Sequence, residues 1–281
     1  MSSAAMPKNI FEQDFAVFDT ETTGLNPSQG DRIIEIAAER LHDAQVTATF
    51  ERLVNPGRPV SEAAYAVNGI SEEMLASAPR MDTVMPEFLE FVQGCILCSY
   101  NAPFDMGFLL NEISLTGASL PEDTLVVDVL KMARRLLPGM PRYALWFVAQ
   151  SLGVGQKQQH RALSDVSLTR EVFNRLLDIA ELKGIRQGDV FKQLFCFGSS
   201  ALQGLTLQKI ARIQEAIGLG VKLKIRYLAG CNAEVTEREV TPREIRQEKD
   251  RAYLVGHCSL RSQERTFRVD NILQIEIAGP S

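Results

Sequence analysis

The sequence predicts an α/β protein in which a mixed sheet with flanking helices precedes a smaller module of short strands. Three observations favour this class. Short apolar runs in the first 180 residues are interleaved with longer stretches of helical periodicity. Residues 206–277 hold one helical stretch and then closely spaced strand-like runs. The length of 281 residues also suits two domains, since about 150 residues per domain is typical.

In the first part, an apolar run at 14–19 ends in an acid and a turn, which predicts a buried strand. Further strands are predicted at 32–41, 47–54 and 95–100, and helices at 81–92, 104–115 and 162–179. The second of these helices begins just after Pro103 and stops at Gly117.

In the last part, a helix is predicted at 206–217, with strands at 221–228, 234–241, 252–258, 264–269 and 272–277. Strands this short and this closely spaced indicate a small β-barrel or a sandwich. The Gly- and Ser-rich stretch before them predicts a linker with some local structure. The predicted division is therefore 1–180, a linker at 181–204, and 205–281.

The formal net charge of −5, from 30 basic and 35 acidic residues, argues against a simple basic nucleic-acid binder. The charge is unevenly distributed. Residues 1–204 carry 17 basic and 25 acidic side chains, a net of −8, whereas residues 205–281 carry 13 and 10, a net of +3.

Neither a membrane span nor a secretory signal is visible, because no apolar run approaches about 18 residues and the N-terminus has no basic start before an apolar segment. Five cysteines, an odd number, favour a reducing cytoplasm over a disulfide framework. Cys95 and Cys98 form a CxxC, which we interpret as buried strand residues and not as a zinc or redox site.

The first chemical motif is Asp19-Thr20-Glu21, at the end of the first predicted strand. Residues two apart in a strand point to the same face, so Asp19 and Glu21 can direct two carboxylates at one point. A hard cation such as Mg²⁺ or Mn²⁺ would offset their mutual repulsion. The alternative is a solvated turn with incidental acids.

Two later motifs hold further candidates. Asn101-Ala102-Pro103-Phe104-Asp105 lies at a strand-to-helix junction, where Asp105 could also be a helix cap. His160 precedes a predicted helix that carries Asp165 in its first turn. A loop histidine beside an acid suits proton transfer near neutral pH, although a single histidine before a helix usually has no such role.

Taken together, the order and spacing of these motifs resemble the DEDDh branch of the DnaQ-like 3′–5′ exonucleases, over about residues 14–179. The segments Val67-Asn68-Gly69-Ile70 and 137–152 add flanking matches. The resemblance implies a ribonuclease H-like fold with a mixed five-stranded sheet. It also implies that Asp19, Glu21, Asp105 and Asp165 bind two divalent metal ions, and that His160 takes a proton from the attacking water. Thr22, Leu25, Asn101 and Phe104 would contact the terminal nucleotides.

In the last part, the segment Arg265-Thr266-Phe267-Arg268-Val269-Asp270 carries a resemblance to the WYL domain, an Sm-like β-barrel found mostly in bacterial regulators. The resemblance rests mainly on this segment, since Ala252 replaces the tryptophan that gives the domain its name. It implies binding of single-stranded nucleic acid or a nucleotide-like ligand, with Arg243, Tyr253, Arg265 and Arg268 as candidate contacts. Further basic residues are Arg246, Lys249, Arg251 and Arg261. The alternative is a solvated surface.

These observations predict a metal-dependent 3′–5′ exonuclease acting on DNA, preferentially at single-stranded ends, in proofreading or in separate repair. Two alternatives stay open: the same chemistry on RNA, or a regulator whose WYL module senses nucleic acid. A weaker pattern, Gln-Leu-x-x-Phe at Gln193, Leu194 and Phe197, is typical of peptides that dock on sliding clamps. The expected partners are therefore nucleic acid, with DNA favoured over RNA, and less strongly a sliding clamp, with no membrane association.

Overall fold

The fold is described from a computed structural model of the chain. The structure describes residues 10–121, 123–155, 158, 160–197, 200–248 and 251–278. Lys249, one of the basic residues noted above, lies outside these ranges.

The first sheet has the predicted mixed topology. Its strands are β1 (Phe15–Thr22), β2 (Ile33–His42), β3 (Gln45–Leu53), β4 (Ile96–Ser99), β5 (Val126–Asp128) and the two-residue β6 (Cys196–Phe197). They lie in the order β3-β2-β1-β4-β5-β6. The first three strands are antiparallel, β4 and β5 run parallel to β1, and β6 is antiparallel to β5. The predicted five-stranded mixed sheet is confirmed, with β6 as an addition at its edge.

Nine helices are described: α1 (Glu62–Asn68), α2 (Glu72–Ala76), α3 (Met81–Phe91), α4 (Ala102–Thr116), α5 (Val129–Leu136), α6 (Leu145–Ser151), α7 (Ala162–Leu182), α8 (Gly188–Phe195) and α9 (Ser200–Leu219). The helix predicted at 162–179 is α7, and the one predicted after Pro103 is α4, which includes that proline in its first turn. Proline suits this position because its missing N–H has no helical partner there.

Strand β1 is buried on both faces, which explains why it reads as a continuous apolar run. Phe15 and Val17 belong to the core beneath α5 and α7, and the Phe15 ring lies 4.9 Å from that of Phe173. Ala16 and Phe18 belong to a second core beneath α3 and α4. Odd-numbered side chains of β1 therefore face α7 and even-numbered ones face α4.

The second sheet is antiparallel throughout. Its strands are β7 (Leu223–Leu228), β8 (Val235–Glu248), β9 (Arg251–Cys258), β10 (Gln263–Arg268) and β11 (Ile272–Ile277), in the order β10-β9-β8-β7-β11. Helix α9 packs on it through Ile213 and Ala216, which share a core with Leu254 and Phe267. Gly256 faces a bulge in β8, where a side chain would meet the carbonyl oxygen of Thr241 at 2.4 Å.

The segment predicted as a linker contributes a helix and a strand to the first domain. Phe191 and Phe195 of α8 are fully buried in the core that contains Phe173, and β6 pairs with β5. Leu228 and Leu273 of the second sheet reach the same core. The short apolar pattern of α8, close to glycines and serines, is why the sequence indicated only weak structure here. The boundaries at 180 and 205 stay a prediction.

No helix in the described ranges has the length and apolar character needed to cross a membrane. All five cysteines carry free thiols. Cys98 is buried in β4, as predicted for a strand residue, and Cys95 lies half-buried just before that strand.

Candidate active site

Three carboxylates meet at the end of β1. Single ligand oxygens of Asp19, Glu21 and Asp165 all lie within 4.8 Å of one another. Asp19 and Glu21 are two apart on the face of β1 that looks toward α7, and Asp165 lies in the first turn of that helix. Strand alternation predicted that Asp19 and Glu21 share a face, and the family resemblance implied that Asp165 joins them. In the structure, Asp165 extends from α7, the helix that covers this face of β1.

Asp165 is 4% exposed, and its Oδ2 accepts a hydrogen bond of 2.9 Å from the Nε2 of Gln158. The unpaired N–H groups of a helix N-terminus favour an anionic side chain at this position. Gln158 was not among the predicted site residues, because nothing in the sequence separates it from its polar neighbours.

Asp105 approaches β1 from the opposite face, in the first turn of α4. Its Oδ1 accepts from the amide and the hydroxyl of Thr20, at 3.1 and 2.8 Å, and its Oδ2 accepts from Ser99 at 2.6 Å. It lies outside the close group of three, but its charge is one of the causes that raise the pKa of Asp19. The four acids therefore approach one strand end from two sides.

Burial opposes ionisation of Asp19, Glu21 and Asp105, and repulsion from neighbouring carboxylates adds to the effect on the pKa of Asp19 and Glu21. Burial is the largest cause in each case: it raises the pKa of Asp19 well above its ordinary value, that of Glu21 to about 8, and that of Asp105 to about 6. Hydrogen bonds from Ser99 and Thr20 limit the rise for Asp105. The donor set consists of carboxylate oxygens only, on half-buried Asp19 and Glu21 and on buried Asp105 and Asp165. Such a set fits a hard divalent cation, which would favour the charged form of the carboxylates.

Asn68 supports the site from the end of α1. Its side chain hydrogen-bonds to Glu21, and its Oδ1 accepts from the amide of Ile70 at 3.0 Å. Asn68 is 6% exposed. In the sequence it was visible only as part of the Val67-Asn68-Gly69-Ile70 match, which gave it no role.

Glu35 of β2 is a fifth acid beside the site. It is fully buried and lies opposite Glu21 in the register of β1 and β2. Its carboxylate accepts from Arg161, at 2.5 Å from Nη2, and from the amide of Ala162 at 2.8 Å. The signal that could have indicated it is an acid inside the apolar run Arg32-Ile33-Ile34-Glu35-Ile36, where an unpaired charge would be costly.

His160 immediately precedes Arg161. It is exposed and has a positive φ of 52°. This conformation is uncommon for residues other than glycine and indicates that the surrounding structure holds the turn. The imidazole is therefore carried on a constrained corner at the entrance to α7.

The predicted substrate contacts lie around the same strand end. The Thr22 hydroxyl donates to the Gly24 carbonyl at 2.6 Å, and Leu25 is 83% exposed. Asn101 is exposed in the left-handed region just before α4, with φ 67°. Phe104 is half-buried, with its ring centroid 5.1 Å from that of Phe108.

The candidate residues of the second sheet occupy different environments. Arg243 is exposed and pairs with Glu264 at 2.7 Å, and Arg265 is also exposed. Half-buried Tyr253 lies opposite Arg268 in the strand register. Strand alternation places Arg265 and Arg268, three apart, on opposite faces of β10.

Arg268 pairs with Asp270 at 2.6 Å, and Asp270 in turn pairs with Arg135 of α5. Arg268 therefore lies where the second sheet contacts α5, a helix that packs on the first sheet. The first two residues of the predicted clamp-binding pattern are buried in α8, where Gln193 is 6% and Leu194 1% exposed. The side chain of Phe197 lies outside the described part of the chain.

Family models match both parts of the chain. The model of the exonuclease family matches residues 16–173, and that of the WYL domain matches residues 208–277. The chain belongs to the exonuclease family and carries a WYL domain. The predicted resemblance to DnaQ-like DEDDh exonucleases is thereby confirmed.

Two curated relatives match the exonuclease region. A DNA polymerase III PolC-type protein of Caldanaerobacter subterraneus subsp. tengcongensis is 37% identical over 62% of this chain and 12% of its own length. A DNA polymerase III subunit epsilon-like protein of Rhodobacter capsulatus is 39% identical over 61% of this chain and 25% of its own. The matches thus span a quarter or less of these relatives.

Solved structures share the fold. The nuclease domain of 3′hExo, a DEDDh family member bound to rAMP, has a TM-score of 0.53 and 18% identity, covering 60% of this chain and 94% of its own. The zinc-bound E. coli ExoI–ssDNA complex has a TM-score of 0.57 and 15% identity, covering 87% and 54%. At these identities the likeness concerns the fold alone.

Proposed function

We propose that the chain is a metal-dependent 3′–5′ exodeoxyribonuclease that releases nucleoside monophosphates from single-stranded 3′ ends. The observation that carries the proposal is the meeting of Asp19, Glu21 and Asp165 within 4.8 Å at the end of β1, in a chain of the exonuclease family. DNA is favoured as the substrate because both curated relatives are named for DNA polymerase III. Proofreading and separate repair are both consistent with such an activity.

Asp19, Glu21, Asp105 and Asp165 would hold two Mg²⁺ or Mn²⁺ ions. When bound, such ions supply Lewis acidity for in-line displacement at the phosphorus. The hydrogen bonds of Thr20 and Ser99 fix the orientation of Asp105, and Asn68 fixes that of Glu21. The chain thus prepares its carboxylates before any cation arrives, which limits the cost of ordering them at binding.

His160 is assigned the role of general base, which accepts a proton from the attacking water. Its exposure at the start of α7 leaves the ring free to meet a substrate from solvent. Leu25 and Phe104 would pack on the terminal bases, where stacking contributes roughly 1–3 kcal/mol per base. Thr22 and Asn101 would supply polar contacts to the last nucleotide.

The WYL domain is assigned the role of holding the strand upstream of the site. Its region carries a net charge of +3 while the remainder carries −8. The exposed residues Arg243 and Arg265 would contact phosphates, and Tyr253 and Arg268, on the other face of the sheet from Arg265, are further candidate contacts. Arg243→Ala and Arg265→Ala together should weaken binding of a fluorescent single strand and flatten its salt dependence, as expected for lost phosphate contacts.

The test of the main proposal is digestion of oligonucleotides labelled at the 5′ or the 3′ end, as matched DNA and RNA. Mononucleotides should be released from the 3′ end of DNA only with Mg²⁺ or Mn²⁺, and Asp19→Ala should abolish the release. Asp178→Ala, an exposed acid further along α7, is the matched control and should leave it unchanged. Full activity in Asp19→Ala would overturn the proposal, and faster digestion of RNA would reassign the substrate.

A further inference from the structure

We propose that Glu35 is a positioning residue for the reaction: through Arg161 and the amide of Ala162 it fixes the corner that carries His160. The inference rests on the proposed role of His160 as general base. Glu35 itself would touch neither substrate nor metal.

The contacts of Glu35 converge on the two residues that follow His160. Nε of Arg161 donates to both carboxylate oxygens at 3.2 and 3.1 Å, and its Nη2 donates to Oε1 at 2.5 Å. The amide of Ala162, the first residue of α7, donates to Oε2 at 2.8 Å. One buried carboxylate therefore satisfies an otherwise unpaired helix N–H and a guanidinium at the same time.

This arrangement constrains His160 through the main chain. The histidine is joined directly to Arg161 and has a φ of 52°, so a shift of the Arg161 backbone would move the imidazole. Glu35 is 0% exposed and lies in β2, which is paired on both sides, with β1 and β3. The turn that carries His160 is therefore attached to the interior of the sheet and not only to the first turn of α7.

The negative charge of Glu35 explains why its partner is an arginine. Glu35 lies opposite Glu21, and its charge is among the causes that raise the pKa of both Asp19 and Glu21. Arg161 pairs with Glu35 and offsets this fifth negative charge. The pairing leaves Glu35 occupied with Arg161 and Ala162 and separate from the carboxylates that would hold metal.

The chain contains a second salt bridge between β2 and α7, which serves as a control. Glu39, four residues further along β2, accepts from Arg170 at 2.6 Å and from Ser167 at 2.8 Å. Glu39 is also buried, at 7% exposure. Both salt bridges join β2 to the α7 region, but only Glu35 contacts the residues next to His160.

The experiment compares Glu35→Gln, Arg161→Lys and Glu39→Gln in the full chain, with kcat and KM measured on single-stranded DNA and Tm measured in parallel. Outer residues that orient reactive groups typically change activity about 10- to 100-fold. We expect kcat to fall by about that factor in Glu35→Gln and Arg161→Lys, with KM little changed. Glu39→Gln should lower Tm comparably and leave kcat unchanged.

The double variant Glu35→Gln/His160→Ala separates positioning from folding. If Glu35 acts through His160, the double variant has the kcat of His160→Ala alone, because a lost base cannot be mispositioned. A further loss in the double variant, or equal kcat in Glu35→Gln and Glu39→Gln, would overturn the inference. Wild-type kcat in His160→Ala would instead overturn the proposed base.

Discussion

Arg135 and Asp270 form a salt bridge of 2.5 Å between α5 of the exonuclease region and the turn that precedes β11. Arg135 also donates to the side chain of Asn271, and Arg268 binds the same carboxylate of Asp270. Burial opposes ionisation of Asp270, but the neighbouring guanidinium groups of Arg135 and Arg268 outweigh it and lower its pKa. A charged network therefore joins the two sheets.

Replacing Arg135 should destabilise the whole chain. Arg135→Met removes a guanidinium that is 9% exposed and leaves Asp270 with Arg268. We expect a loss of about 1–3 kcal/mol in the free energy of unfolding, less than for a fully orphaned buried pair, measured by urea denaturation. Arg134→Met, on the same helix but exposed, is the control. Equal losses in the two variants would contradict the network's role.

The metal-free protein should lose stability as pH rises. Glu21 has a pKa of about 8 when folded, against an ordinary 4.5. Between these values the folded state binds more protons than the unfolded state, so stability declines with rising pH. The Tm with chelator should be lower at about pH 8.5 than at about pH 6.

Two further measurements make this pH prediction specific. Glu21→Gln should flatten the decline, because the variant has no proton to lose at that position. Mn²⁺ should raise Tm more at the higher pH, where the carboxylates are ionised. A chelated protein whose Tm is the same at both pH values would contradict the assignment of the raised pKa.

The Thr20 hydroxyl should matter to Asp105 without touching substrate. Thr20→Val keeps the side-chain shape and the main-chain hydrogen bond but removes the 2.8 Å bond to Oδ1. We expect about 1–2 kcal/mol of lost stability, and an activity loss of about tenfold that more Mn²⁺ partly restores. Thr124→Val, at an exposed turn, is the comparison. Activity that does not respond to Mn²⁺ would argue against a metal role for Asp105.

Phe104 should contribute to substrate binding, since it is only half-buried above Phe108. Phe104→Ala should raise KM for single-stranded DNA, because stacking on an aromatic ring contributes roughly 1–3 kcal/mol per base. Phe104→Trp should keep KM close to its wild-type value, because tryptophan also offers an aromatic ring for stacking. Fully buried Phe108 is the contrast: Phe108→Ala should lower Tm by leaving a cavity. An unchanged KM in Phe104→Ala would make Phe104 a core residue only.

The sequence was sufficient to predict the carboxylates at the end of β1 but not the residues that support them. Asp19 and Glu21 were predictable because strand alternation fixes their common face, and Asp165 because its helix follows a distinctive motif. The positioning role proposed for Glu35 could not be predicted, because it depends on a salt bridge with Arg161, 126 positions away in the sequence. The contact of Asn68 with Glu21 could not be predicted either, because only the fold brings the end of α1 beside β1.

The second sheet shows the same limit. Its strands were predictable from short alternating runs, and the separation of Arg265 and Arg268 onto opposite faces follows from their spacing. Arg268 shares Asp270 with Arg135 of α5. This contact depends on how the two sheets and their helices pack together, and no local sequence pattern predicts such packing. Helix α8 and β6 were missed for a related reason, since their burial comes from a core assembled by distant segments.

The short strand β6 also decides how the protein can be divided. A fragment ending at residue 180 would lose the pairing between Val126 and Phe197 and leave β5 as an open sheet edge, a template for aggregation. It would also uncover the core surface that Phe191 and Phe195 fill. An expression fragment of the nuclease should therefore extend through residue 197. Because Leu228 and Leu273 reach this core as well, exchanging the WYL domain between proteins would require redesign of the surface on which it rests.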